Sequence, residues 1–332
     1  MEKQAVLVTG GAGYVGSHAC MALSEAGFLP VCYDDLRRGN RWAVQWGPLI
    51  EAPLEDSAAL ASAMQSHSVA AVMHFAAYAY VAESMSDPSS YFRNNVSGSI
   101  NVLDAMVASG VPNLVISSTC AIYGIPPALP IVEEMPAAPI NPYGASKHIM
   151  EEIADWYAQT HGLRTCALRY FNAAGCDPSG AIGEWHDPEP HVFPLAIAAA
   201  LDRNSQFSIF GTDYPTPDGT AVRDYVHVSD LAEAHVLALH RLLEGGDNLR
   251  CNLGTGQGTS VKEVLEAVAS AAGRKPNVVM HPRRPGDPPE LVADPSLAMQ
   301  TLRWKPIRSD PLTIAEDAHR WYVRRLGERS LA

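Results

Sequence analysis

Cysteine is scarce and scattered in this chain. Six residues in 332, Cys20, Cys32, Cys120, Cys166, Cys176 and Cys251, show no C-x-x-C spacing. That argues against a zinc ribbon or a disulfide framework and fits a reducing cytoplasm. Long apolar runs are missing as well: none reaches the ~18 residues of a membrane helix. The first strand begins within five residues of Met1, so no signal peptide is expected. Basic residues are outnumbered, 24 Lys and Arg against 36 Asp and Glu, and the basic pairs (Arg37-Arg38, Arg283-Arg284, Arg324-Arg325) are short. A nucleic-acid-binding face needs clustered positive charge, which a net charge of −12 opposes. What is plentiful is apolar sequence: 47% hydrophobic residues can fill a large core, in two domains or one large α/β unit.

Short apolar runs at 5–9, 30–33, 70–75, 114–117 and 165–168 alternate with helical patterns at 16–26, 57–66, 91–109 and 146–161. This alternation indicates a parallel sheet covered on both faces. Beyond Gly175 the pattern becomes rich in Pro and Gly, with helical stretches at 193–202, 261–271 and 310–325. The expected organisation is a nucleotide-binding unit over 1–175 and a smaller one over 176–332. A segment at 223–245, containing "DYVHVSDLAEAHVLAL", is expected to return to the first sheet.

"AVLVTGGAGYVGSHACMALSEAG" reads as strand, glycine turn and helix, with Gly10, Gly11, Gly13 and Gly16 spaced as in G-x-x-G-x-x-G and G-x-G-x-x-G. Such a turn lets backbone N–H groups approach a pyrophosphate at a helix N-terminus. The second strand ends in Asp34 and Asp35, 18 residues beyond Gly16, where a carboxylate can hold the adenosine ribose hydroxyls. A carboxylate there repels a 2′-phosphate, which favours NAD over NADP, although Arg37 and Arg38 stand close by.

"NPYGASKHIMEE" places Tyr143 and Lys147 at i and i+4, on one face of a helix. A phenol with a pKa of about 10 is a poor base near neutrality. A neighbouring ammonium is expected to lower that value. The strand in "LVISSTCAIYG" delivers Ser117, Ser118 and Thr119 to the sheet edge, where Thr119 is suited to share a substrate oxygen with Tyr143.

The motifs "TGGAGYVGSH", "FAA", "NNV", "SSTCAIYG", "PYGASK", "RYFNAAG", "RDYVHVSDLA", "NLGTG" and "RRPGD" occur in the order of extended short-chain dehydrogenases/reductases. The set most closely resembles the UDP-glucose 4-epimerase family, over nearly the whole chain. The resemblance implies a Rossmann-type doubly wound parallel sheet with a smaller α/β substrate-binding domain, a resident NAD and a homodimer pairing helices near 91–109 and 148–161. It implies C4 epimerisation of a UDP-sugar through a transient 4-keto sugar. Tyr143 would be the base, Lys147 its tuning cation and Thr119 its partner. The cofactor would be lined by Gly10, Gly11, Gly13, Tyr14, Val15, Gly16, Asp34, Asp35, Leu54, Phe75, Ala76, Ala77, Asn95, Ser117 and Tyr170. The substrate would meet Phe171, Asn172, His191, Val192, Ser208, Phe210, Arg223, Tyr225, Val261, Arg284 and Asp287, with the two arginines on the diphosphate.

Three departures bear on this resemblance. Pro53 stands where the family usually has an aspartate near adenine, and Ala79 where many members carry a lysine. Both bear on how tightly NAD is retained. Leu291 lies near a position associated with hexose size, so UDP-pentoses and UDP-N-acetylhexosamines stay open as alternative substrates. Related dehydratases put acidic side chains just after the catalytic Ser/Thr; Cys120 and Ala121 cannot act so, which disfavours elimination. A non-catalytic NAD-sensing protein would have no use for Thr119, Tyr143 and Lys147 together. The histidines of "HDPEPH", His186 and His191, show no further ligand set in the sequence, and no metal is expected.

Overall fold

The computed structural model describes residues 3–284 and 286–329. Alternation along the first strand, β1 (Ala5–Thr9), sets the architecture: Ala5 and Leu7 belong to one core, Val6 and Val8 to another. Side chains of a strand point alternately to the two sheet faces, so a strand apolar at every position must be covered on both. The sheet has seven parallel strands in the order β11-β6-β5-β4-β1-β2-β3. The others are β2 (Leu29–Tyr33), β3 (Leu49–Ile50), β4 (Ala71–His74), β5 (Asn113–Thr119), β6 (Arg164–Tyr170) and β11 (Leu249–Leu253). One face is covered by α1 (Tyr14–Glu25), α8 (Val228–Leu243) and α10 (Ser296–Thr301), the other by α2 (Ser57–Ser66), α5 (Gly98–Ser109) and α6 (Pro142–His161). This is the doubly wound sheet expected, and the strand order reverses at β1 and β4, opening a crevice at their carboxyl ends.

The helical pattern at 91–109 is not one continuous α-helix. After α3 (Val81–Ser86), α4 (Pro88–Tyr91) passes into a π-helical segment at Phe92–Ser97 before α5 begins. Within the returning segment, α8 packs on the large sheet while the strand does not join it. Its strand, β10 (Tyr225–His227), pairs not with the large sheet but with β7 (Asn172–Ala174). The strand that does return is β11, beyond the expected 223–245, which the short "LRCNL" run between a turn and "GTG" had not marked out.

The remaining chain forms a third core from α7 (Val192–Leu201), α9 (Val261–Ala272) and α11 (Pro311–Arg329). It includes β8 (Phe207–Phe210), paired with β13 (Val278–His281). A small sheet joins β9 (Val222–Arg223), β12 (Thr259–Ser260) and β14 (Glu290–Leu291). Among the described residues no helix is long and apolar enough to cross a membrane.

Candidate active site

The glycine turn between β1 and α1 is tight because the chain leaves no room there. Gly10 has φ +74, and a Cβ on it would lie 2.6 Å from the Ala76 backbone nitrogen. Phe75, Ala76 and Ala77 therefore run directly over the turn. Asp34, nearly buried at the end of β2, accepts the Ala12 N–H at 3.0 Å and the Leu36 N–H at 2.9 Å. Burial raises its pKa against those two hydrogen bonds. Asp35 pairs with Arg37 at 2.8 Å, and Arg38 donates to Glu83 while lying over the rings of Tyr78 and Tyr80. Both arginines are thus engaged by carboxylates. Leu54 packs against Gly98, and its carbonyl accepts from Asn101 at 3.0 Å. Tyr14 and Val15 open α1, and the Tyr14 hydroxyl reaches across to the Gly175 carbonyl at 2.6 Å. A cradle of this shape fits a dinucleotide pyrophosphate, with backbone amides rather than bulky side chains at the turn.

The π-helical segment places Asn95 at the centre of the site. Fully buried, it accepts the Tyr78 N–H at 2.8 Å and donates to the Tyr78 carbonyl and to Ser146 Oγ. One side chain thereby ties the loop after β4 to α6.

Helix α6 begins at Pro142, four residues ahead of the 146–161 pattern, so that it includes Tyr143. Pro142 occupies its first turn and Asn141 caps it, Oδ1 accepting the Gly144 N–H at 2.8 Å. Gly144 is needed because a Cβ there would come within 2.5 Å of the Ala121 carbonyl. Tyr143, Lys147 and Glu151 follow at i, i+4 and i+8, a single stripe facing the end of β5. Lys147, buried, donates to the Ser117 carbonyl at 2.7 Å. Glu151 receives a short bond from Ser118 and a fork from Arg169, 2.7 Å at the closest. The neighbouring strand supplies Tyr170, in register with Thr119 and hydrogen-bonded to Ser117.

One electrostatic expectation needs correcting. Burial pushes the Tyr143 phenol up to about 12, against a lowering hydrogen bond with Thr119. Lys147 is not what sets it. Its own pKa is lowered by burial to about 7, against the pull of Glu151, and its head is committed to a carbonyl. Desolvation of two neighbouring polar groups outweighs the attraction expected between them.

The candidate substrate residues gather at two places. Arg223 and Arg284 both engage Asp287, at 3.6 and 2.8 Å, and the Arg284 guanidinium lies 4.9 Å over the Phe210 ring. His281 stacks on Phe210 and lies 3.2 Å from Ser208 Oγ. Arg223 also lowers the pKa of Cys120, whose burial raises it, and Leu291, in register with Arg223, packs on the core that holds Cys120 just after β5. Tyr225, raised to about 12 by burial, feels both arginines. Asn172 is half-buried and its N–H bonds the Asp224 carbonyl. Phe171, by contrast, is 7% exposed and mostly taken up in a core with Ile122, Tyr123 and Ala293. Val261 opens α9 and packs with Val192 on the third core, so neither joins the arginine group through contacts of the kind formed by Phe210.

His191, just ahead of α7, contacts Glu184 and Glu189 instead of the arginine group. Glu189, within "HDPEPH", and Glu184, two residues ahead of it, thus lie beside both histidines. Glu151, Arg169, Ser146 and His281 were also not picked out as site residues. Glu151 could have been found from its i+4 spacing beyond Lys147; Arg169 and His281 depend on strand register, and Ser146 on its contact with Asn95.

The description "NAD dependent epimerase/dehydratase family" matches residues 6–254. A UDP-glucose 4-epimerase of Rhizobium meliloti (strain 1021) is 49% identical over 325 residues, covering 98% of this chain and 99% of that one. A UDP-glucose 4-epimerase structure from Brucella ovis, in complex with NAD, superposes with TM-score 0.94 at 48% identity, covering 96% of this chain and 98% of that one. One from Stenotrophomonas maltophila, with NAD and formylated UDP-arabinopyranose, gives 0.94 at 39% identity, with 98% and 99% covered. With a cofactor cradle, an α6 stripe and a full-length likeness in agreement, this chain belongs to the NAD dependent epimerase/dehydratase family, among the UDP-glucose 4-epimerases.

Proposed function

We propose that the protein interconverts UDP-glucose and UDP-galactose at C4, with NAD as a resident cofactor. The observation that carries this reading is the convergence of Tyr143, Lys147 and Thr119 at the end of β5, with Arg223 approaching the adjoining Cys120. The cradle at Gly10–Gly16, with Asp34 and the 75–77 loop, would hold the cofactor. Bound NAD supplies a hydride acceptor, and then donor, at the sugar carbon. Tyr143 Oη takes the C4 hydroxyl proton and later returns it to the 4-keto oxygen, so protons and electrons balance over the cycle. Thr119 holds that oxygen against the phenol. A phenol held near 12 is a weak base, and the positive charge of oxidised nicotinamide is what would bring it down. Lys147 would position the cofactor ribose. Arg223 and Arg284 hold the diphosphate with Asp287 on the uridine side, which keeps the intermediate bound while the sugar turns.

The test is turnover of purified protein on a panel of UDP-sugars, with C4 epimers resolved. Conversion of UDP-glucose to UDP-galactose is expected without added NAD or with modest supplementation. Rapid turnover of UDP-xylose or UDP-N-acetylglucosamine with none on UDP-glucose would replace the substrate assignment. No turnover on any of them would leave an NAD-sensing protein. The proposal includes a homodimer through α5 and α6, consistent with exposed Val107 and Trp156, and a cytoplasmic setting, consistent with six free, buried cysteines. Sedimentation of a single-chain species at micromolar concentration would refute the dimer.

A further inference from the structure

The loop that precedes α7 brings four metal-binding side chains together. One donor atom each from Glu184, His186, Glu189 and His191 lies within 4.8 Å of the other three. His191 Nδ1 is 2.6 Å from Glu184 Oε1 and 3.1 Å from Glu189 Oε1. His186 Nδ1 is 3.4 Å from Glu184 Oε1 and 3.4 Å from Glu189 Oε2. Four donors at about 2.1 Å from a tetrahedral ion stand roughly 3.4 Å from one another. Three of the contacts, at 3.1 and 3.4 Å, lie near that edge; the Glu184–His191 approach, at 2.6 Å, is well inside it and would open as an ion enters.

A second observation points into the same space. Glu184 is 1% exposed, and its Oε1 and His186 Nδ1 are shielded without a hydrogen bond among the described residues. His191 Nδ1 faces both carboxylates, hydrogen-bonded to Glu189 and ion-paired with Glu184. Among the described residues the buried Glu184 carboxylate thus meets only the two imidazoles, a charge that a cation seated between them would balance. Outer contacts orient the set: Glu189 accepts the N–H groups of His186 and His191, and Tyr322 approaches it at 3.4 Å. The His191 side chain is 42% exposed, which gives an ion a way in.

We propose that Glu184, His186, Glu189 and His191 bind one divalent transition-metal ion of the zinc class. Two imidazoles and two carboxylates suit such an ion, and four protein donors leave no open position, so its role is structural. The rings of Tyr14, from the cofactor cradle, and Tyr80 both lie edge-on to His186. The ion therefore braces the start of α7 against α1 and the 78–80 loop.

The full chain, stripped with chelator, is titrated with ZnCl2 by calorimetry, and its metal content is measured by mass spectrometry after gel filtration. About one zinc per chain is expected, with a higher thermal midpoint, and Co2+ should give the intense visible bands of a tetrahedral site. His186→Ala and Glu189→Gln, checked for folding by circular dichroism, should each weaken zinc binding more than tenfold. Zinc binding undiminished in both folded variants overturns the site. So does the absence of retained zinc in the wild type at micromolar free metal, which would leave a proton as the cluster's only occupant. If a variant unfolds, the wild-type cobalt spectrum decides: weak six-coordinate bands, or none, reject the proposal.

Discussion

At the scale of single residues, the proposed mechanism places its chemistry on one phenol and its binding on two guanidiniums. Tyr143→Phe removes the only atom proposed to carry the substrate proton. Turnover should fall by about 10²–10⁴-fold, the usual contribution of a general acid–base. UDP binding, measured by calorimetry, should stay within a few-fold of wild type; retained turnover would transfer the proton to another group. Arg223→Met acts differently, because Arg223 is assigned to the diphosphate and not to the reacting carbon. Losing one charge-assisted hydrogen bond of about 1.5–3 kcal/mol should raise KM roughly tenfold to a hundredfold, with a smaller effect on kcat. Steady-state kinetics on UDP-glucose separate the two outcomes. A matching loss in kcat would mean that Arg223 acts at the chemical step.

At the scale of elements, legibility followed the range of the interaction. The β1 strand, the glycine turn and the Tyr143–Lys147 face of α6 were readable because an apolar run, Gly spacing and an i, i+4 repeat are local signals. The π-helical turn at Phe92–Ser97 and the pairing of β11 with β6 were not, because both depend on partners far along the chain. The same distinction separates Tyr143–Lys147, visible as a spacing, from Arg284 over Phe210, which joins two separate strand ends. Glu151 shows what lies behind the visible motif. Its carboxylate binds Ser118 on β5 and Arg169 on β6, so one buried ion pair ties α6 to the two strands that carry Thr119 and Tyr170. Glu151→Ala leaves Arg169 buried without its partner, at a cost of about 3–5 kcal/mol. Denaturant unfolding should show that loss. A change under 1 kcal/mol would mean that water or the Tyr123 hydroxyl, already 2.9 Å from Arg169, replaces it.

At the scale of the whole molecule, acid stability rests on histidines that the fold holds neutral. His74 joins Thr9 on β1 to Ser99 on α5, and burial lowers its pKa to about 3, with Lys147 pushing the same way. His18 on α1 and His235 on α8 are lowered to about 4, again chiefly by burial and against one backbone hydrogen bond each. A lowered histidine pKa means that, between the folded and unfolded values, the unfolded chain binds more protons. Stability therefore rises with pH across that window and is lost as pH falls from about 6.5 towards 4. Glu189, whose hydrogen bonds to His186 and His191 overcome burial and hold it near 2, loses its contribution only below its ordinary value of 4.5. In the metal-free protein His191 runs oppositely: burial lowers it, but the charges of Glu184 and Glu189 win and hold it near 10. Its stabilisation is present below pH 6.5 and fades as pH climbs towards 10. The thermal midpoint should consequently fall on both sides of neutrality, and the acid limb should begin near pH 6, above the carboxylate range. His235→Gln, which titrates nowhere in that range, should flatten the acid limb between pH 6.5 and 4 relative to wild type, whatever it costs at neutral pH. Parallel acid limbs for the two proteins in calorimetric scans would show that this buried imidazole does not govern the acid response.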